Sequence, residues 1–252
     1  MNVFILLNYC NTFILFTNKM KKTKKKKYIV WGTIVGVIAA LLIGFFGWTA
    51  VYYHADATAV NISISDSTIQ RKDGITVIPA ENSSTAIIFY PGAKVEDIAY
   101  LPLLQRIRNE VHVTCILVKM PLNLALFGVN KADQVMADYP DVETWYLAGH
   151  SLGGAMASSY AAKHEDKIAG LILMGSYIYG NYPASKSLTI YGSLNTAVKD
   201  KITYSENVVC IEGGNHAQFG NYGKQKGDAD ATISADAQQI QTVQAIKSFL
   251  QK

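Results

Sequence analysis

Hydrophobic and polar positions alternate along this chain in two distinct ways. Residues 28–53 read YIVWGTIVGVIAALLIGFFGWTAVYY, a run with no charge and no polar face. As a helix, 26 such residues span about 39 Å, enough to cross a hydrocarbon layer of about 30 Å with some tilt. Trp31 at one end and Trp48, Tyr52 and Tyr53 at the other suit the two interfacial zones. Beyond residue 60 the pattern changes to short apolar runs separated by amphipathic stretches. The runs predict strands at 61–65, 75–78, 86–90, 113–118, 145–148, 168–174, 188–191 and 208–211. Helical spacing falls between them at 96–109, 131–138, 152–163 and 234–250, the last opened by Ser234 with an acidic first turn. Such alternation predicts an α/β fold: three layers, with a mostly parallel sheet covered on both faces. Sites in such folds lie beyond the carboxyl ends of the strands, so the residues at each strand exit carry the functional question.

Charge sharpens the organisation. The 252 residues hold 23 Lys and Arg against 19 Asp and Glu, a net +4, but seven lysines lie between Lys19 and Lys27. From Tyr28 onward, 16 basic residues face 19 acidic ones, so the rest of the chain is slightly acidic. No basic stripe with interleaved aromatics remains to suggest nucleic acid. The lysines instead mark the cytoplasmic side of a membrane span. The expected organisation is a lysine-rich leader over residues 1–27, an anchor in the lipid bilayer over 28–53, a polar stalk over 54–60 and one domain over 61–252. The domain would then stand outside the cell membrane. A cleaved signal peptide is the competing reading, with Ala55, Ala57 and Ala59 as small residues for a peptidase, but the apolar run far exceeds a usual signal core. Residues 1–18 are too interrupted for a second span, and Met20 before KKTKKKK is the expected initiator.

The strand at 145–148 exits into Gly149-His150-Ser151-Leu152-Gly153-Gly154, followed by a helix. This is G-x-S-x-G in the strand–turn–helix setting that exposes a serine at a helix N-terminus. Neither glycine pattern of a phosphate loop is present. A serine nucleophile needs a base. Of the five histidines, His54 falls in the stalk, His112 leads into a strand, His164 sits at a helix C-terminus, and His150 on the tight turn should point into packing. His216 follows the last strand in EGGNH, after the serine in chain order, as a Ser–acid–His triad requires. Backbone N–H groups of Leu152 and of Ala93, in the YPGA exit of the 86–90 strand, should hold an oxyanion.

With YPGA, GHSLGG and GGNHAQFGNYG in place, the chain resembles the α/β-hydrolase superfamily, in particular its compact membrane-anchored bacterial members, from about residue 61 to the end. The resemblance implies a sheet of about eight strands and Ser–His chemistry on a small-molecule acyl substrate. It also implies an Asp in a G-x-x-D segment after the penultimate strand, where this chain has Gly192-Ser193-Leu194-Asn195. Asn195 can orient an imidazole but cannot neutralise it. Asp200 is the alternative acid, with Glu212 and Asp228 behind it.

Only 13 residues separate the strands at 168–174 and 188–191, too few for a cap domain, so Tyr177, Tyr179 and Tyr182 are candidates to rim an open site. Cys115 and Cys210 lie in apolar runs and read as small buried residues; no metal-ligand spacing and no cofactor motif is present. The expected activity is a carboxylic ester hydrolase needing no cofactor. A catalytically silent binding module and an acyltransferase are the alternatives; oligomeric state and substrate stay open.

Overall fold

The computed structural model describes the backbone of residues 3–252 and the side chains of residues 27–252; Cys10 and the lysines before Lys27 lie outside the described side chains. It divides into two units, residues 1–50 and 51–252. The first is the helix α1 (Val3–Ala50), whose Lys27–Ala50 portion has a mean hydropathy of 2.5 and is long and apolar enough to cross a membrane. The helix stops three residues short of the expected anchor end. Within the second unit, Tyr53 forms an isolated parallel bridge with Val95.

That unit contains α2 (Ala57–Ser65), β1 (Gln70–Lys72), β2 (Ile75–Ile78), β3 (Thr85–Tyr90), α3 (Leu101–Val111), β4 (Thr114–Val118), α4 (Lys131–Asp138) and β5 (Thr144–His150). The chain continues through α5 (Leu152–Ala161), β6 (Gly170–Met174), β7 (Ser187–Gly192), α6 (Thr196–Lys199), β8 (Val208–Ile211) and α7 (Ala235–Leu250). The eight strands form one sheet in the order β1-β2-β4-β3-β5-β6-β7-β8. The first two pairings, β1 with β2 and β2 with β4, are antiparallel, and the rest are parallel. All parallel strands therefore end on one edge. The expected α/β-hydrolase fold of eight mostly parallel strands is present, and the segment from Gly175 to β7 holds only a short 3-10 turn, Ala184–Lys186.

The alternation within β3 shows how the core is divided. Ile87 and Phe89 face one helical layer with Leu103, Leu104 and Ile107 of α3 and Val243 and Ile246 of α7. Ile88 and Tyr90 face the other, with Val135 of α4 and Ala157 and Tyr160 of α5. A strand buried on both faces reads as a continuous apolar run, which is why this sheet is legible in the sequence.

Residues 54–65 differ from expectation. In place of a stalk and a strand at 61–65 there is α2, started by the Asp56 carboxylate accepting a hydrogen bond from the Ala59 N–H at 3.0 Å. Helix propensity is not what holds it; its end is tied to α3 by Asp66, which pairs with Arg108 at 2.9 Å and accepts from Gln105 at 2.8 Å. The strand at 75–78 finds its partner in β1 instead. Cys115 is buried as expected, and burial pushes its thiol up to about 12. Cys210 is exposed, because β8 is the edge strand of the sheet.

Candidate functional site

β5 delivers Ser151 to the carboxyl edge, where it caps α5 with φ 53° and ψ −123°. A non-glycine residue in this region is strained by about 1–3 kcal/mol, and the surroundings must hold it there. Two close approaches do so. The Ser151 N–H donates to the Met174 carbonyl at the end of β6, at 3.0 Å. A Cβ on Gly153 would lie 2.1 Å from the Tyr90 carbonyl oxygen, so only glycine lets α5 begin so close to β3. Among the described residues, the Ser151 hydroxyl and the N–H groups of Leu152 and Ala93 make no hydrogen bond. The hydroxyl and the two amide donors are thus uncommitted.

His216 lies in the loop after β8, half-buried. Its ring stands over Gly175, whose φ is 52°; a Cβ there would come within 3.0 Å of the imidazole Nδ1. Gly175 follows the Met174 that receives the Ser151 amide, so the histidine and the serine share the β6 exit. Asn195, buried after β7, lies with its amide Nδ2 2.7 Å from His216 Nδ1. With that amide donating, Nδ1 is the acceptor and the ring proton sits on Nε2. Asp200, the alternative acid, ends α6 exposed to solvent and makes no hydrogen bond to His216. Glu212 bonds to the Ser193 hydroxyl at 3.2 Å.

Asp228 is engaged with the histidine loop through the backbone. Its carboxylate accepts from the N–H of His216 at 3.2 Å and of Ala217 at 2.8 Å. Gln238 of α7 braces the same loop, accepting from the Asn215 N–H and donating to the Asn215 carbonyl, each at 3.0 Å. Burial holds the His216 pKa below its usual 6.5, opposed by the negative charge of Asp228.

His150 is buried, as expected, but it does more than pack. The Gly92 N–H donates to the Tyr100 hydroxyl at 3.1 Å, and that hydroxyl lies 2.8 Å from His150 Nδ1. Burial raises the Tyr100 pKa well above 10, so the phenol keeps its proton and donates it to Nδ1. His150 then carries its own proton on Nε2 and donates to the His216 carbonyl at 2.9 Å. Every proton in this chain has one place, and it joins the Ala93 loop to the His216 loop. The two imidazoles lie 4.6 Å apart. Burial first, and the neighbouring His216 second, keep the His150 pKa well below 6.5.

These shifts have a consequence for stability. The unfolded chain binds protons on both histidines near their ordinary pKa of about 6.5, whereas the fold refuses them until lower pH. Stability from the pair is complete above about pH 6.5 and is lost as pH falls through the folded values. The urea midpoint should therefore drop between about pH 7 and about pH 5, before most carboxylates titrate. A midpoint unchanged across that interval would show that the two rings are not held neutral.

Of the three rim tyrosines, Tyr179 is exposed and Tyr177 half-buried, but Tyr182 turns inward and donates to the Ile168 carbonyl at 3.0 Å. No group of three or more potential metal ligands occurs among the described residues.

Residues 86–240 match the family model described as the Alpha/beta hydrolase family. No curated protein matches the chain. Among solved structures, carboxyl esterase 2 (TmelEST2) from the mycorrhizal fungus Tuber melanosporum is similar over 79% of this chain and 91% of its own, with TM-score 0.57 and 10% identity. A mutant of the esterase rPPE is similar over 76% of this chain and 85% of its own, with TM-score 0.51 and 12% identity. At these identities the likeness is one of fold.

Proposed function

Since the chain belongs to the α/β-hydrolase family, we propose that it is a membrane-anchored serine hydrolase cleaving carboxylic esters or related acyl bonds. The observation that carries this reading is the strained Ser151 at the head of α5, with His216 over the adjoining β6 exit. In the proposed reaction the Ser151 oxygen attacks the acyl carbon while its proton passes to His216 Nε2. The Leu152 and Ala93 amides hold the oxyanion, and collapse of the tetrahedral intermediate returns the proton to the leaving alkoxide. Water repeats the sequence and frees the acid; an acceptor alcohol in its place would make the enzyme an acyltransferase.

His216 Nε2 can accept that proton only when Nδ1 carries the ring proton. The Asn195 amide must therefore turn over, so that its oxygen receives Nδ1–H. An amide also supplies no charge to neutralise the imidazolium formed during attack, so activity is expected to be modest. The same observation favours a second reading, a silent hydrolase fold that binds ligands.

The apolar Lys27–Ala50 segment, preceded by lysines, is read as the anchor, with the N-terminus cytoplasmic and the hydrolase domain on the far side, as in the compact anchored bacterial hydrolases the motifs resemble. A fluorophosphonate reporter separates the two readings. The enzyme should be labelled at Ser151, located by peptide mass spectrometry. Folded protein that takes no label is the outcome expected of the binding module.

A further inference from the structure

The acid of a Ser–His–Asp triad has two duties: it holds the imidazole tautomer, and it stabilises the imidazolium that forms as the serine attacks. The first duty needs a contact at Nδ1. The second needs only a negative charge close to the ring, because Coulomb attraction acts without a hydrogen bond between the two groups. Asn195, whose amide lies 2.7 Å from His216 Nδ1, can do the first and not the second.

A carboxylate nevertheless reaches the same histidine through its main chain. Asp228 Oδ1 accepts from the His216 N–H at 3.2 Å, and Oδ2 accepts from the Ala217 N–H at 2.8 Å. These amides open the 3-10 turn Ala217–Phe219, so both carboxylate oxygens are fixed beside the residue that carries the base. The segment holding Asp228 is itself tied down. The Asp228 N–H donates to the Gln225 carbonyl at 3.1 Å, and the Asn215 side chain donates to the Ala229 carbonyl at 2.8 Å. Among the described residues, no Lys or Arg forms an ion pair with Asp228. Lys224, close by in the chain, pairs with Asp230 at 2.6 Å. The charge of Asp228 is therefore left to act on the ring.

The groups that face His216 from the neighbouring elements are neutral. β5 presents the buried His150 ring at 4.6 Å, held neutral by its lowered pKa, and β6 presents Gly175. The exit of β7 presents the Asn195 amide, and α7 presents Gln238, which bonds to the Asn215 backbone. Tyr222, packed against His150, is a phenol that burial holds protonated far above its ordinary pKa. Burial also outweighs the attraction of Asp228 while His216 rests, which leaves the ring neutral, as a base must be. The attraction counts once the ring takes the serine proton.

We propose that the two duties of the triad acid are divided in this protein: Asn195 orients His216, and Asp228 supplies the counter-charge for its imidazolium from the backbone side. This rests on the serine-hydrolase reading above. Asp228 is a positioning residue, acting on the reaction only through His216.

The test uses the full chain in detergent micelles, with ¹⁵N-labelled histidines and p-nitrophenyl acetate as the ester. The His216 resonance is assigned by its loss in His216→Gln. Asp228→Asn should lower the His216 pKa by about one, because the protonated ring loses its attraction, and should lower kcat by about tenfold with KM unchanged. In the Asn195→Asp background a carboxylate already faces Nδ1, and Asp228→Asn should cost less than about threefold. A residue that only braces the loop would cost the same in both backgrounds and would leave the His216 pKa where it was. Either result overturns the proposal. Ala229→Lys guards against a variant that fails to fold, since Ala229 is exposed and its substitution adds a positive charge beside Asp228 while leaving the hydrogen bonds of the carboxylate in place. It should lower the His216 pKa too, more at low salt than at high, and a pKa unmoved at low salt overturns the proposal on its own. An unmoved pKa in an enzyme that turns over ester and takes fluorophosphonate at Ser151 removes the role of Asp228 alone. Loss of both turnover and labelling in the natural chain brings down the hydrolase reading, and the counter-charge role with it.

Discussion

Asn195→Asp should raise ester turnover by about a hundredfold or more, an unusual direction for a substitution in a buried site. The two side chains have nearly the same shape, and the position already lies 2.7 Å from His216 Nδ1. Two electrical changes follow. A carboxylate can only accept, so Nδ1 is forced to carry the ring proton and Nε2 faces the serine as a base. Its charge also stabilises the imidazolium formed while the serine attacks. In a serine-protease triad the reverse change costs about 10⁴-fold, chiefly through the wrong tautomer. The gain here is smaller, because Asp228 already places a carboxylate at the His216 and Ala217 amides and would repel the new charge. The pH profile provides the independent reading. The acid limb of kcat/KM should lie below pH 6.5 in the natural chain, following the lowered His216 pKa, and move upward in the variant, since an adjacent carboxylate favours the protonated ring. Unchanged or reduced turnover would remove Asn195 from the site and return attention to the other carboxylates.

Why could Asn195 and His216 be read from the sequence while His150 and Asp228 could not be given their roles? Ser151 and His216 follow the apolar runs of β5 and β8, and Asn195 occupies the G-x-x-D position of the resembling family after β7; the parallel sheet brings these strand ends to one edge. Position in the chain therefore translates into position in space. The roles of His150 and Asp228 depend on pairings with no sequence period. Tyr100, which fixes the His150 tautomer, lies at the start of α3, and Asp228 reaches back across twelve residues of irregular loop. Residues 61–65 illustrate a different limit. N-I-S-I-S alternates like a strand, yet five residues are too few to distinguish a strand from a helix whose start is set by Asp56 and whose end is fixed by Arg108. Cys210 fails for a topological reason. Its run is apolar, but the last strand of an open sheet has one flank uncovered.

Ser151→Ala should cost very different amounts in two backgrounds, and the difference is the sharper prediction. Residues that act as one catalytic unit are not additive, so removing a second member costs little once the unit is already impaired. With Asn195 in place, position 195 supplies no charge to neutralise the imidazolium, and loss of the hydroxyl should lower turnover by only about a hundredfold. In the Asn195→Asp background the same change removes an intact nucleophile–base–acid set and should cost about 10⁴-fold or more. Both double and single variants should fall to one common residual rate, set by the Leu152 and Ala93 amides and by binding, which neither substitution touches. The four proteins form a cycle measurable on one chromogenic ester. A coupling factor of about a hundred places Ser151, His216 and the residue at position 195 in one proton path. Equal costs in the two backgrounds would mean that Asn195 contacts His216 without taking part in what the serine does.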